Sequence, residues 1–163
     1  MPGGALLRLC AQGTGTRHPV YSTAMSVYAG ESRNAMRTSW REAWQRHEQR
    51  LPLEPLHLQM VDVVAEHPEY HAVLRHAELE PEGTDAGANP FLHLGLHLAL
   101  REQLGTNRPA GISALYQRLL QRGASRHELE HRMIVVLSEM LWQAQRLGNA
   151  PDERQYLEAL QRL

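Results

Sequence analysis

Segments whose apolar residues recur at helical spacing alternate along the chain with short stretches of Pro, Gly and Asn. Between Glu31 and Gln49, Met36, Trp40, Ala43, Trp44 and His47 fall at i, i+4, i+7, i+8 and i+11, the period of an amphipathic helix. Arg33, Arg37 and Arg41 share another face, where Glu42 and Glu48 dilute their charge, so that face is expected to be solvated. Leu53-Glu54-Pro55 opens a second helix with Leu56, Met60, Val63 and Val64 on its apolar stripe. Pro68 breaks the chain and is expected to open a third helix over HPEYHAVLRHAEL, since proline lacks only an N–H that would be unpaired in a first turn. Residues 80–88, EPEGTDAGA, have the composition of a loop.

The pattern changes at Asn89-Pro90, a good N-cap followed by proline. The helix behind it, NPFLHLGLHLALREQ, is apolar all round, the mark of a buried helix. Gly105 and Asn107 end it. Ile112, Leu115, Tyr116, Leu119 and Leu120 form the stripe of a further helix after Pro109, which stops before Gly123. Ser125-Arg126-His127-Glu128 reads as a capping box. The long helix after it carries Leu129, Met133, Val136, Leu137, Met140, Leu141 and Ala144 on one face, and Gly148 suits its C-terminal stop. Pro151-Asp152-Glu153 begins a short last helix with acidic residues in its first turn. Strand-like alternation and internal repeats are absent. The expected fold is all-α, a single-domain bundle of about six or seven helices.

Residues 1–24 lack acidic side chains and look unlike the rest. They are expected to be a disordered extension, with Met25 a candidate start and residues 25–163 the helical domain. LLRLC is too short for the apolar region of a secretory signal. No apolar run reaches the roughly 18 residues of a membrane span. A net charge of −1 points to neither a nucleic acid nor an anionic membrane as partner. All 17 basic residues are Arg, which removes lysine Schiff-base chemistry and the phosphate-loop lysine. The single Cys10 cannot form an intrachain disulfide or a cysteine zinc knuckle, and a reducing, cytoplasmic setting fits.

The compositional oddity is ten histidines. Six fall in three pairs of one spacing: His67/His71, His93/His97 and His127/His131. Residues four apart share a helix face, so two imidazoles can chelate one ion. Each pair lies near a predicted helix N-terminus, where the dipole disfavours imidazolium and favours the neutral, metal-binding ring. Three pairs on three helices could converge between them. On the long helix, His127 and His131 lie opposite the apolar stripe, on a side shared by Ser138, Trp142 and Gln145 and flanked by Ile134 and Val135. This predicts a second buried face. Glu130 and Glu139 are carboxylate candidates, as ligands or as a general base, although both point elsewhere by rotation. Glu128 completes an ExxH with His131, but its capping role accounts for it. His18, His47, His57 and His76 lack the pattern and read as surface or packing residues, and Trp40, Trp44 and Trp142 as core.

The segments LPLEPL, DVVAEHPEYHAVL, NPFLHLGLHLALREQ, RPAGI, HELEHRM, LSEMLWQAQR and PDERQYLEAL, in that order, resemble a bacterial family, domain-of-unknown-function family 1841. The similarity runs from about Val27 to Leu160 and leaves residues 1–24 outside. The resemblance implies no assigned activity. Its motifs HPEYH, NPFLHxxxH and HxxEH fall on His67, His71, Asn89, His93, His97, His127, Glu130 and His131, with position 128 variable.

The residues therefore point to a divalent or transition metal held by His67, His71, His93, His97, His127 and His131. Histidines with carboxylates and no thiolate suit zinc, iron or manganese. An enzyme built on such a site would be a metal-dependent hydrolase or a di-iron-type oxidoreductase acting on an unidentified small molecule. The rival reading is a non-catalytic helical interaction module, able to form a homodimer, with a buried histidine hydrogen-bond network and the Trp40/Trp44 helix as a docking face or seam.

Overall fold

The computed structural model describes residues 30–79 and 89–163. The proposed extension 1–24 and the loop 80–88 lie outside these residues. Seven α-helices carry the fold, with no strand among the described residues. They are α1 (Gly30–Glu48), α2 (Pro55–Ala65), α3 (His71–Arg75), α4 (Pro90–Thr106), α5 (Ile112–Leu120), α6 (Arg126–Leu147) and α7 (Glu153–Gln161).

The punctuation acts as its chemistry requires. Asn89 caps α4, its side chain accepting from the Phe91 and Leu92 amides, and Pro90 occupies the first turn. Asn107 ends the helix in the left-handed region at φ 51°. Ser125 and Glu128 form the reciprocal capping box of α6, which Gly148 stops at φ 65°. Asp152 caps α7 through the Gln155 amide.

Helix α4 is apolar all round because it separates two cores. Leu92, Leu96, Ala99 and Leu100 pack with α5, α6 and α7 around Ile112, Met133, Leu137 and Tyr156. Phe91, Leu94 and Leu98 pack with α1 and α2 around Trp40, Trp44, Met60 and Val64. Between these faces runs a third stripe, His93, His97 and Arg101, along the seam where α4 meets α6.

Three expectations are corrected. HPEYHAVLRHAEL is not one helix: Pro68–Tyr70 and Ala77–Leu79 are 3-10 turns on either side of the five residues of α3. The second face of α6 is buried only over its first turns, and Val135 and Trp142 are 68% and 48% exposed. Along the seam His93 meets His131, and His97 and Arg101 meet Glu130. Third, Trp40 and Trp44 are buried, so they offer no exposed docking face. Arg41 and Arg37 of α1 lie 4.9 and 5.8 Å from the Phe91 ring centroid. No helix among the described residues is long and apolar enough to cross a membrane.

Candidate metal centre

Helix α2 ends at Ala65, and its last carbonyls have no partners within the helix. Two of them, on Val63 and Val64, accept the Glu66 and His67 amides and, in addition, one histidine side chain each. His67 Nδ1 donates to the Val63 carbonyl at 2.7 Å and His71 Nε2 to the Val64 carbonyl at 3.1 Å. The 3-10 turn at Pro68 separates their directions. His67 swings into the α4/α6 seam, whereas His71, the first residue of α3, turns back to the end of α2 and lies 4.4 Å, centroid to centroid, from Trp44. The spacing of four does not make these two a pair on one helix face.

At the seam, α4 contributes His93 and His97, and α6 contributes His131 and His127. Five of the six predicted rings gather here, with centroids of neighbouring rings 4.1 to 6.0 Å apart. One ring nitrogen from each of His67, His93, His97 and His131 lies within 4.8 Å of the others. His67 and His97 are fully buried, and His93 and His131 partly so.

Three of these nitrogens form a nearly equilateral triangle. The Nε2 atoms of His93 and His67 are 3.2 Å apart, those of His93 and His131 3.2 Å, and those of His67 and His131 3.3 Å. Nitrogens bound to one ion at about 2.0–2.1 Å with tetrahedral angles stand roughly 3.3–3.4 Å apart. The triangle has the dimensions of one face of such a polyhedron.

Hydrogen bonds alone cannot satisfy it. A neutral ring nitrogen carries in the ring plane either one proton or one lone pair. In a triangle of three contacting nitrogens, at least two must be of the same kind. His67 is already assigned, because a carbonyl can only accept: its proton sits on Nδ1 and its Nε2 is a lone pair. A cation among the three would use every nitrogen as a donor of electron density, leaving no contact mismatched.

The fourth ring repeats this logic. His97 Nδ1 faces Glu130 Oε2 at 3.2 Å, which places the proton on Nδ1. His97 Nε2 is buried and has no hydrogen-bond partner. A carboxylate or carbonyl behind each imidazole is the usual support of a metal-ligating histidine. Glu130 is itself held at both oxygens: Oε2 accepts from Arg101 Nε at 3.0 Å, and Oε1 from Arg126 Nε at 2.8 Å and the Tyr116 hydroxyl at 3.4 Å. Burial pushes its carboxyl up, but His97, Arg126 and Arg101 reverse this and hold it at about 2. Arg101 also binds Glu66 at 2.6 Å.

Electrostatics keep the rings in the form that coordinates. Burial, then the neighbouring imidazoles, lower His93 to about 3. Burial likewise lowers His67 and His131, with other rings of the cluster adding to the effect. All three are uncharged at neutral pH.

The remaining predicted residues are placed as follows. His127 stacks beside the four, 4.1 Å from the His131 ring, with its Nδ1 3.6 Å from Glu66 Oε2. Glu139 is exposed and accepts from Gln143. Glu128 is engaged in the capping box. Sequence reasoning did not find Arg101, Arg126, Tyr116 or Glu66. Arg101 had a signal, since it stands one turn beyond His97 on the same helical face. Glu66 and Tyr116 reach the site only through tertiary packing.

No match appears among curated proteins or solved structures. A family model does match, over residues 32–162, and that span contains every residue of the centre. The chain belongs to the family described as Domain of unknown function (DUF1841).

Proposed function

We propose that the protein binds a divalent transition metal ion through His67, His93, His97 and His131. The observation that carries this reading is the Nε2 triangle, whose lone pairs converge at coordination spacing and which protons cannot fully satisfy. The supports behind His67 and His97, and the lowered basicity of three of the rings, agree with it. Four imidazole nitrogens suit zinc or iron better than manganese, which favours oxygen donors. His127 sits beside the ion and His71 outside the set. Glu130 serves to fix His97, because its oxygens are occupied and a carboxyl at about 2 is a poor proton acceptor at neutral pH. Any hydrolytic or oxygen-activating chemistry would use the side where His93 and His131 reach a surface groove.

The test is direct. Protein purified from rich medium should carry near-stoichiometric zinc or iron by mass spectrometry. The double variant His93→Ala/His97→Ala should lose it, and His71→Ala should keep it. Metal-free protein whose melting temperature does not respond to added zinc, iron or manganese would overturn the reading and leave a metal-free histidine network inside an interaction module.

A further inference from the structure

Beside the centre, α6 and α7 enclose a groove of about 710 Å³. Its walls are mainly apolar, formed by Leu96, Ile134, Val135, Met140, Tyr156 and Ala159. At one end stand His93 and His131, the two partly exposed members of the four. Gln143 lines the other end, twelve residues further along α6, so the groove runs about 18 Å from the imidazoles. Its polar lining, Ser138, Glu139, Gln143 and Gln155, contains no cation.

Charge decides what would bind at the histidine end. Four neutral imidazoles leave the charge of a bound dication uncompensated. Glu130 and Glu66 are matched by Arg101 and Arg126, and Glu69, whose charge reaches His67 and His131, supplies at most one of the two negative charges needed. A dication in such surroundings favours an anionic oxygen ligand from outside. The opening at His93 and His131 is where that ligand can enter, and the groove beyond it is apolar.

Building on the metal reading, we propose that the groove binds a small carboxylate with an apolar tail, its carboxylate on the ion at the His93/His131 edge and its tail along Ile134, Val135 and Met140. The experiment uses the full chain loaded with cobalt(II), whose visible absorption responds to its donor set. Acetate, butyrate, hexanoate and octanoate are titrated in turn. Each should alter the spectrum, with affinity rising roughly fourfold per buried methylene. Val135 is exposed, so Val135→Glu should leave the cobalt spectrum intact while weakening octanoate by roughly tenfold or more, because the tail then meets a charge.

Equal affinities for acetate and octanoate, or no spectral response, would overturn the groove inference and leave the metal centre standing. Failure of cobalt to bind would overturn both. A dimer that Val135→Glu converts to monomer, with no carboxylate response in either state, would assign the groove to a second copy of the chain instead.

Discussion

At the scale of the residue, the protonation pattern of the cluster follows from its neighbours. His67 must keep its proton on Nδ1 to satisfy Val63, and His97 keeps its own to satisfy Glu130. Each bond aims a bare Nε2 at the seam. In the proposed centre Glu130 would therefore matter as much as a ligand, by fixing the His97 ring. Glu130→Gln would retain the shape but leave Arg101 and Arg126 facing a neutral amide in a fully buried position. The expected cost is about 3 kcal/mol of stability, the scale for breaking a buried ion pair. Metal affinity should fall by roughly 10–100-fold, as when the support behind a ligating histidine is lost. Glu139→Gln is the control: that side chain is exposed and its hydrogen bond is to Gln143, so affinity should hold and stability change by less than about 0.5 kcal/mol. Chemical denaturation and competition with a chelator measure both quantities. Equal metal affinity in Glu130→Gln and the parent would show that Glu130 positions nothing.

At the scale of the element, α6 does the most for the site, since His127, Glu130 and His131 all ride on its first two turns. The Ser125–Glu128 box that starts the helix thus also starts the centre. Ser125→Ala should cost about 1 kcal/mol. It should also weaken metal binding, because fraying would move two rings and Glu130. Asp152→Ala removes a comparable cap from α7, which carries no ligand, and should lower the melting temperature by a similar amount with affinity unchanged. An Asp152→Ala protein that loses metal as readily as Ser125→Ala would break this link between cap and site. Such local features were legible before any coordinates. Asn89-Pro90, the capping box and Gly148 each act within one turn, and the all-round apolarity of α4 announced a helix with no solvent side. Two aspects were not legible. The HPEYH spacing fits a helical pair, yet Pro68 turns the chain so that His67 and His71 cap the same helix end and diverge. The outer face of α6 reads as buried throughout, yet Val135 and Trp142 are exposed, a limit set by tertiary packing rather than by anything in the α6 sequence.

At the scale of the whole molecule, two apolar cores meet on opposite faces of α4, and the histidines occupy the seam that neither core fills. Solvent exclusion by both cores makes imidazolium unfavourable there, which couples the cluster to global stability. His67, His93 and His131 have folded-state basicities below the ordinary 6.5, His93 as far as about 3. Their stabilising contribution is complete above about pH 6.5 and is lost as pH falls toward the lowered values, because the unfolded chain then takes up protons that the folded chain refuses. Each such proton costs the folded state about 1.4 kcal/mol per pH unit. Glu130 contributes in the same direction, but only below the ordinary carboxyl value of 4.5, where its unfolded form begins to protonate. Loss of stability between about pH 6.5 and 5 therefore reports the histidines and not the carboxylate. Metal-free protein should melt at least about 3 °C lower per pH unit across that interval. Added zinc should raise the melting temperature at about pH 5.5 as well as at about pH 7.5, because the unfolded histidines then hold protons and no longer compete for the ion. Calorimetry at matched ionic strength measures both. A melting temperature that stays flat or rises on acidification would mean that the rings are charged in the folded state, and the converging lone pairs on which the metal centre depends would not exist.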